Sequence, residues 1–417
     1  MRNEWIERQI GDYLHDIKHG FAFKGEYFTN QPTEHYLVTP ANFAIGGGFQ
    51  NGKSMYYTND FPDEYILDKG DLIVTMTDLS KTGDTLGFSA LVPKSSKCKY
   101  LHNQRIGKVI VNEKKADKFF IYWLMRTYAY QRYIVGLATG STVKHTAPKS
   151  IKSFKYRFPP LPTQTRIAEI LSAYDNAIEN NNRRIALLDK AASDLYREWF
   201  VRMRFPGYES VRVVNGLPEG WKVKRLGAVV NITSSKRIYL SDYVDDGTPF
   251  FRSKEIIQLA SGQAITEPLY IERDKYEELK DKFGAPAEND ILITSVGTIG
   301  VSHLVDDTVF YFKDGNLTWL QSGATPKLAL YVFLWLNSDS GKSSLLSSTI
   351  GTSQSALTIE NLKKIKLVIP SDDMLSDFYA VSWDLIQMKR KLQKQSQNLT
   401  RQRDLLLPRL MSGKLEV

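Results

Sequence analysis

The chain has 417 residues, enough for about two to four domains, of which 42% are hydrophobic and 24% are charged. These proportions are typical of globular proteins and exclude a disordered or fibrous chain. The 55 Lys and Arg residues against 46 Asp and Glu residues give a net charge of +9, which favours a polyanionic partner only weakly. The single cysteine, Cys98, excludes an internal disulfide framework and a cysteine-rich zinc site, and it suits a reducing compartment.

No segment is predicted to span a membrane. The longest strongly apolar run, Leu328 to Leu336, has nine residues, whereas a spanning helix needs about 20. The first residues, Met1–Trp5, lead into charged positions rather than into the apolar core of a signal peptide. We therefore expect a cytoplasmic protein with no membrane partner.

The chain contains an internal repeat of about 200 residues. Segments recur in the same order, and the pairs are Gly70–Thr75 with Asn289–Thr294, Thr85–Val92 with Thr298–Val305, and Gly140–Pro159 with Gly351–Pro370. The offset drifts only from 219 to 211, as small loop insertions would cause. The alternative is chance similarity among apolar strands, but that would not preserve both order and spacing. We infer two copies that make up the whole chain.

Each copy begins with a predicted mixed α/β domain. Tyr65–Thr77 and Asp290–Val296 are predicted as strands, because apolar residues there are flanked by Gly, Asp and Asn. Phe119–Arg132 and Leu328–Asn337 are predicted as helices with aromatic residues toward a core. The fold class is therefore α+β.

Four loops of these domains are rich in Ser, Thr, Lys and Asn, a composition suited to hydrogen bonds with phosphates and base edges. Any surface loop has a similar composition, so a single loop indicates little. The four loops are Thr77–Gly87, Thr139–Pro148, Asn231–Asp242 and Gly351–Thr358.

Each copy ends in a predicted long helix, in which seam residues recur in alternating steps of four and three. The first seam, in a helix predicted from Thr163 onward, comprises Ile167, Leu171, Tyr174, Ile178, Asn181, Ile185, Leu188, Ala192, Leu195 and Trp199. The second seam comprises Met374, Phe378, Val381, Leu385, Met388, Leu392, Gln395, Leu399, Gln402 and Leu406.

Two narrow seams are most simply buried against each other, which predicts an antiparallel coiled coil. At about 1.5 Å per residue, the stretch from Ile167 to Trp199 spans about 48 Å. The polar residues Asn181, Gln395 and Gln402 are expected to fix the register at some cost in stability. Antiparallel pairing would place one domain at each end of a rod, related by a pseudo-twofold axis. The alternative is two unrelated amphipathic helices, each docked on its own domain.

The segment Gly47–Ser54 fits the phosphate-binding pattern G-x-x-x-x-G-K-S. That chemistry requires a helix that starts at the Lys-Ser pair, whereas Met55–Pro62 shows no helical period and the second copy lacks the motif. We interpret the segment as a glycine turn. A nucleotide-binding enzyme that uses this loop is the weaker alternative.

Other catalytic and metal patterns are incomplete. His15 and His19 could share a helix face as metal ligands, but no third ligand is evident, so a solvated helix face is favoured. Glu113–Lys115 and Glu278–Lys280 resemble half of a nuclease signature without an upstream Asp partner. The sequence therefore predicts a non-catalytic chain without a metal site, for recognition or scaffolding.

Two segments resemble conserved regions of the specificity subunits of Type I restriction-modification systems. Pro159–Leu171, followed by Asp175, Ile178, Asn181 and Leu188, resembles the central conserved region, and Arg403–Leu415 resembles the distal one. Leu217–Trp221, followed by Leu226 and Gly227, resembles the start of the second target-recognition domain. The chain departs from the pattern at Pro370–Asp373, which lacks the fuller Pro-Pro-Leu-Pro-x-Gln element of the first copy, and at Trp5, where no Leu-Pro-x-Gly lead precedes the first domain.

The resemblance implies target-recognition domains at residues 1–158 and 207–369, with conserved long helices within 159–206 and 370–417. It implies that each domain reads one half of a bipartite sequence in double-stranded DNA. It also implies that the helices dock two methyltransferase (modification) subunits and that restriction subunits join the complex. No cofactor is then expected on this chain, because S-adenosylmethionine, ATP and Mg are expected on the partner subunits.

DNA contacts are expected from cationic and amide side chains in the loops of both domains. The candidates are Lys24, Lys53, Lys81, Lys144 and His145 in the first copy, and Lys236, Arg237, Arg252, Lys254 and Gln354 in the second. Methyltransferase contacts are plausible on the outer helix faces, at Arg166, Glu169, Arg183 and Arg184. The alternative function is a non-catalytic coiled-coil adaptor whose domains bind protein partners.

Overall fold

The computed structural model describes residues 4–52, 54–265, 267–323, 325–351 and 355–417. The chain divides into two compact units, one made of Met1–Ile178 with Leu399–Val417 and the other of Glu179–Asn398. Each unit therefore contains one mixed α/β domain together with a stretch of both long helices. None of the helices among the described residues is both long enough and apolar enough to cross a membrane.

The first domain is built from short strands and three short helices. Its strands are β1 (Ile6–Gln9), β2 (Leu14–His19), β3 (Phe28–Thr29), β4 (His35–Val38), β5 (Tyr56–Tyr57), β6 (Ile66–Leu67), β7 (Leu72–Thr75), β8 (Thr77–Asp78), β9 (Ser89–Leu91), β10 (Lys99–His102), β11 (Ile106–Val111), β12 (Lys144–His145) and β13 (Lys155–Phe158). Its helices are α1 (Lys118–Leu124), α2 (Tyr128–Gly136) and α3 (Pro148–Lys152), and the first long helix is α4 (Leu161–Tyr196), which continues as a π-helical turn over Arg197–Val201.

The second domain follows α4. Its strands are β14 (Val213–Val214), β15 (Leu217–Pro218), β16 (Lys222–Arg225), β17 (Asn231–Thr233), β18 (Tyr243–Val244), β19 (Thr248–Phe251), β20 (Leu269–Ile271), β21 (Ile291–Thr294), β22 (Ser302–Leu304), β23 (Tyr311–Phe312), β24 (Leu317–Gln321) and β25 (Lys366–Ile369). Its helices are α5 (Ser253–Ala260), α6 (Arg273–Phe283), α7 (Pro326–Asn337), α8 (Asp339–Ser347) and α9 (Ile359–Lys364), and the second long helix is α10 (Asp372–Met411).

The strand order confirms the internal repeat. The four-stranded antiparallel sheet β2-β11-β7-β9 of the first domain has its counterpart in β17-β24-β21-β22 of the second. The parallel pair β4–β10 corresponds to β19–β23. In both domains a strand near the start of the domain pairs antiparallel with its last strand, as β1–β13 in the first and as β16–β25 in the second.

The recurring Gly-Asp and Asn-Asp pairs are a shared turn. Gly70 and Asn289 have φ angles of +82° and +70°, a left-handed conformation that Gly and Asn tolerate best. The Asp71 carboxylate then accepts a hydrogen bond from the Asp68 N–H at 2.8 Å, and Asp290 accepts one from the Ala287 N–H at 3.0 Å. The sequence similarity therefore reflects the chemistry of a turn that starts the central strand of each sheet.

Two local predictions need correction. The predicted helix Phe119–Arg132 is broken between α1 and α2, because Thr127 caps a new helix by accepting a hydrogen bond from the Tyr130 N–H. His15 and His19 lie on strand β2 rather than on a helix, so the expected helix face does not exist. The error arises because buried residues three apart, Leu14 and Ile17, occur in a strand as well as in a helix.

The glycine-rich segment is a turn, as predicted. Gly46, Gly47 and Gly48 all have φ angles between +85° and +95°, and the Ala44 N–H donates to the Gly48 carbonyl at 3.0 Å. Strand β5 follows instead of a helix, so the geometry of a phosphate-binding loop is not formed. In the second domain the helix α5 lies at the corresponding place, between β19 and β20.

The long helices are antiparallel. Within the second unit, the Asn181 side chain donates to the Gln395 amide oxygen at 3.2 Å, and Asp189 pairs with Lys389 at 2.6 Å. Further along α4, the ring of Trp199 lies 5.5 Å from the ring of Phe378. Contacts therefore move backwards along α10 as they move forwards along α4. This confirms the predicted direction of pairing, and it shows that Asn181 and Gln395 are partners across the two helices.

The predicted seam of α4 is confirmed, since none of its ten positions is exposed. The helix itself begins at Leu161, two residues before the predicted start, because Pro162 is tolerated in a first turn. On α10 the seam is half right. Phe378 and Leu392 are buried, and Leu385, Leu399 and Leu406 are half-buried, as predicted.

At four other α10 positions the predicted seam is wrong by one residue each. Val381 and Met388 are 53% and 48% exposed, and Gln395 and Gln402 are also exposed. The inward positions are those that follow each of them, namely Ser382, Lys389, Ser396 and Arg403. From Phe378 the spacing runs four then three, whereas the sequence suggested three then four. The apolar residues Val381 and Met388 favoured the wrong set of positions, because the inward residues that follow these positions are all polar.

This correction predicts different costs for two neighbouring truncations on α10. Leu392→Ala removes a buried side chain and is expected to lower the free energy of unfolding by about 2–4 kcal/mol. Met388→Ala, one turn away, removes an exposed side chain and is expected to change it by less than about 0.5 kcal/mol. Urea titration followed by circular dichroism measures both. Equal losses for the two variants would contradict the corrected seam.

Candidate nucleic-acid interface

The first domain brings two of the predicted loops together at one edge, where β8 pairs with β12. Lys144 lies opposite Asp78, and His145 lies opposite Thr77. The His145 Nδ1 atom is 3.2 Å from the Thr77 hydroxyl oxygen, which fixes the orientation of an otherwise exposed imidazole. Lys81 is exposed on the loop that leaves β8. The structure thus assembles Lys81, Lys144 and His145 from loops that are far apart in the sequence.

Asp78 organises this edge. Its carboxylate accepts hydrogen bonds from the Ser80 N–H at 2.7 Å and from the Thr85 hydroxyl at 2.7 Å. Burial raises the pKa of this carboxyl, but the hydrogen bonds from Ser80 and Thr85 outweigh burial and hold the pKa below its usual value. The ionised carboxylate therefore shapes the loop from within, while the lysine and histidine side chains remain available at the surface.

The remaining candidates of the first domain lie elsewhere. Lys24 is exposed between β2 and β3, directly before a helical turn at Gly25–Tyr27. Lys53 lies outside the described residues, as does Gln354 of the second domain.

The second domain carries its predicted cations mainly in ion pairs. The Arg237 guanidinium lies 3.0 Å from Asp314, and the Lys254 ammonium lies 2.9 Å from Glu267. Lys236 is exposed and lies 4.5 Å from the centre of the Phe283 ring. An exposed pair such as Lys254–Glu267 stabilises a protein by only about 0–1 kcal/mol, so a phosphate could replace the carboxylate partner of Lys254 at little cost.

Arg252 has a different environment. It forms hydrogen bonds with both carboxylate oxygens of Glu255, at 3.1 Å from Nε and 2.6 Å from a terminal nitrogen, and Glu255 is completely buried. Burial raises the pKa of the Glu255 carboxyl, but the hydrogen bonds from Arg252 prevail and lower it. The pair closes the first turn of α5. The structure thus gives Arg252 a structural role, and its predicted DNA contact stays a prediction.

Sequence reasoning missed exposed apolar residues within the same loops. Tyr239 and Leu240, next to Arg237, are exposed, as are Ile45 in the glycine turn and Leu79 beside Lys81. A side chain of this kind in a polar loop suits stacking on bases or contact with a thymine methyl group. The sequence carries this signal as isolated apolar residues in polar loops, whereas loop composition points only to the cations and amides.

Loss of the Arg252 side chain is expected to destabilise the protein. Arg252→Ala leaves the buried Glu255 carboxylate without its partner, which should lower the free energy of unfolding at pH 7 by about 2–3 kcal/mol. Arg237→Ala is the matched control, because it removes an exposed guanidinium from Asp314, which unlike Glu255 keeps contact with water, and it should cost less than about 1 kcal/mol. Chemical denaturation of the two variants and the unmodified chain provides the comparison.

The pH dependence tests the same interaction independently. A lowered pKa means that Glu255 stabilises the folded chain above the pKa of its unfolded form, and this stabilisation is lost as the pH falls through the folded pKa. The difference between the unmodified chain and Arg252→Ala should therefore be largest near neutral pH and shrink below about pH 4.5. A difference that stays constant down to pH 3 would contradict this account.

Comparison with known proteins agrees with the two-domain architecture. The Type I restriction modification DNA specificity domain matches residues 3–190 and again residues 218–391. The Type I restriction enzyme MjaIX specificity subunit of Methanocaldococcus jannaschii is 26% identical over 308 residues, which cover 72% of this chain and 69% of that protein. The MjaVIII specificity subunit of the same organism is 23% identical over 427 residues, covering 99% and 93% of the two chains.

A solved structure shares the fold over nearly the full length. The Type I restriction-modification S subunit from M. genitalium covers 98% of this chain and 96% of its own, with a TM-score of 0.59 at 18% sequence identity. The family match extends over most of both domains, most of α4 and the first half of α10. The chain therefore belongs to the family of Type I restriction-modification DNA specificity proteins.

Proposed function

We propose that this chain is the DNA sequence-recognition subunit of a Type I restriction-modification enzyme and that each of its two domains reads one half of a bipartite target. The observation that carries the proposal is one scaffold, present twice, with different side chains at equivalent surface positions. Family membership gives the role in DNA recognition, and the duplicated strand order gives the two readers.

The β8–β12 edge shows this difference. In the first domain the backbone of His145 exchanges hydrogen bonds with Thr139, at 2.9 and 3.0 Å. In the second domain Ala356 exchanges the same bonds with Ile350, both at 2.9 Å. The backbone is thus held alike in the two domains. At this position the first domain has an imidazole, which can hydrogen-bond to a base edge, and the second domain has only a methyl group. Two domains with such differences would read different half-sites.

The long helices would act as the spacer and as the docking surface for partners. Arg166, Arg183 and Arg184 are exposed on α4, and they are the positions at which we expect contact with two methyltransferase subunits. In this proposal the chain is non-catalytic. The methyltransferase subunits bind S-adenosylmethionine, and the restriction subunits that join them use ATP and Mg.

Salt dependence of DNA binding tests the recognition role. The logarithm of the affinity should fall linearly with the logarithm of the salt concentration, because lysines displace counterions from phosphates. Lys144→Gln should weaken binding and reduce the steepness by about 0.9, the value for one phosphate contact. Filter binding with the assembled complex measures both quantities.

The matched control for this measurement is Lys190→Gln, which removes an exposed lysine that lies on α4 and pairs with Asp194. It should leave the slope unchanged. If the affinity for DNA did not change with the salt concentration, the alternative function, an adaptor that binds protein partners, would be favoured over DNA recognition.

Lengthening both helices tests the spacer role. Because Asn181 pairs with Gln395, an insertion must be matched. Seven residues are placed after Asn182, and seven before Gln395, so that the pair stays in register. The insertion adds about 10.5 Å of helix, equivalent to about three base pairs at roughly 3.4 Å each.

The accepted gap between half-sites should therefore grow by about three base pairs while both half-site sequences stay the same. Methylation of DNA substrates with graded gaps measures the change. Altered half-site sequences, with the gap unchanged, would show that the helices do not act as a spacer.

A further inference from the structure

One carboxylate joins three segments of the first unit. Asp175 lies on α4, and its Oδ2 atom accepts hydrogen bonds from Arg126 at 2.9 Å and from the Tyr122 hydroxyl at 3.2 Å. Its Oδ1 atom accepts a hydrogen bond from Arg403 of α10 at 2.5 Å. Tyr122 and Arg126 belong to the first domain, so the domain and both long helices converge on a single side chain.

The junction is largely shielded from water. The side chains of Arg126 and Arg403 are 6% and 13% exposed, and that of Asp175 is 29% exposed. The Arg126 guanidinium lies 4.4 Å from the centre of the Trp123 ring, and the Trp123 N–H donates to Ser172 at 3.1 Å. Two side chains of helix α1 thus contact α4, since Trp123 donates to Ser172 and Tyr122 donates to Asp175 about one turn further along.

The glycine turn belongs to the same junction. Arg126 Nε donates to the Gly46 carbonyl at 2.9 Å. A Cβ atom at Gly47 would lie 2.5 Å from Cγ of Arg126, and the φ angle of +86° also favours glycine there. The glycine-rich segment that resembles a phosphate-binding loop therefore packs against Arg126. Arg126 in turn contacts Asp175, so it links α4 to a surface loop of the domain.

Among the residues that the structure describes, the second domain shows no equivalent of this junction. In the repeat alignment Trp123 corresponds to Trp335, so the position of Arg126 is taken by Ser338, and Asp175 corresponds to Ser382. Ser382 donates to the Phe378 carbonyl of its own helix. A different cation, Arg390 of α10, donates to the carbonyls of Leu304 and Val305 at 3.1 Å. The strand order shared by the two domains is therefore formed in the second unit without a cluster of this kind at the equivalent positions.

We propose that Asp175 is a positioning residue that fixes the orientation of the first recognition domain on the helix pair and thereby restricts the gap accepted between half-sites. The proposal rests on the proposed function. Arg403 also pairs with Asp404 at 2.7 Å, whereas Asp175 is the carboxylate that Arg126 contacts, so separating Asp175 from Arg126 costs the 6% exposed Arg126 its ion pair. Across a domain radius of about 20 Å, a rotation of about 10° moves the DNA-reading edge by roughly one base pair.

The test compares Asp175→Asn with the unmodified chain in the assembled methyltransferase complex. The amide keeps the size of the side chain and removes its charge. DNA substrates carry both half-sites with the native gap or with a gap one base pair shorter or longer, and methylation is measured for each. The unmodified complex should methylate the substrate with the native gap in preference to the other two. In Asp175→Asn the ratio of methylation at the native gap to methylation at the other gaps should fall roughly tenfold, while the half-site bases stay the same.

Asp189→Asn is the matched control, because it removes a second α4–α10 ion pair whose partner is Lys389 rather than a residue of a recognition domain. It should keep the native gap preference. Asp175→Glu, which retains the charge, should restore most of the preference. If Asp175→Asn does not fold, Arg403→Lys replaces it, since one ammonium cannot reproduce the geometry of the guanidinium.

An unchanged gap preference in folded Asp175→Asn, or in Arg403→Lys where it replaces Asp175→Asn, would overturn the proposal, and so would a change of half-site bases in that variant. Loss of the gap preference in Asp189→Asn as well would also overturn it, because any weakening of the helix pair would then suffice. If the unmodified complex shows no bipartite specificity, the proposed function fails instead, so the two failures can be told apart.

Discussion

The pairing of α4 with α10 is the constraint on which the other features depend, and polar side chains determine its register. A seam made only of apolar residues tolerates a slip, because leucine packs about as well one turn away. Such a slip would break the hydrogen bond between Asn181 and Gln395. Asn181 is buried, so its side-chain amide would then lose its partner away from water, which is costly. The polar residues thus lower the stability of the helix pair but select one alignment of α4 with α10.

This alignment matters because each domain shares its core with the helices. In the second unit Tyr196, Trp199 and Phe378 pack in the same cluster as Tyr331 and Trp335. In the first unit Ile167, Leu171 and Leu410 pack with Phe120 and Trp123. Neither domain is attached by a flexible linker in its own unit. A recognition surface on such a domain inherits its position from the helix pair, as a reader of DNA at a fixed spacing requires.

The parts of the structure that repeat in the sequence could be predicted from it. The duplicated segments predicted the two domains, and the periodicity predicted the long helices and their pairing. The α10 seam could not be placed fully, because Lys389 and Arg403 occupy inward positions that hydrophobic patterning assigns to Met388 and Gln402. A charge enters a seam when a partner on the other helix neutralises it, and that partner is visible only in three dimensions.

The candidate site was predictable to a similar degree. Loop composition identified the β8–β12 edge, where Lys144 and His145 meet the loop of Lys81. It did not distinguish Arg252, whose guanidinium is occupied by a buried glutamate, from Arg237, whose partner is more accessible. Composition counts charges, whereas availability depends on what each charge already contacts. The Asp175 junction was missed for the same reason, since Arg126 and Arg403 are 277 residues apart in the chain.

The central claim is that two separate readers are mounted on one helix pair. Exchange of residues 1–158 for the first domain of another specificity subunit, followed by mapping of methylated adenines in host DNA, tests it most directly. The account predicts that one half of the methylated sequence changes while the other half and the gap between them stay the same. Changes in both halves, or in neither, would contradict it.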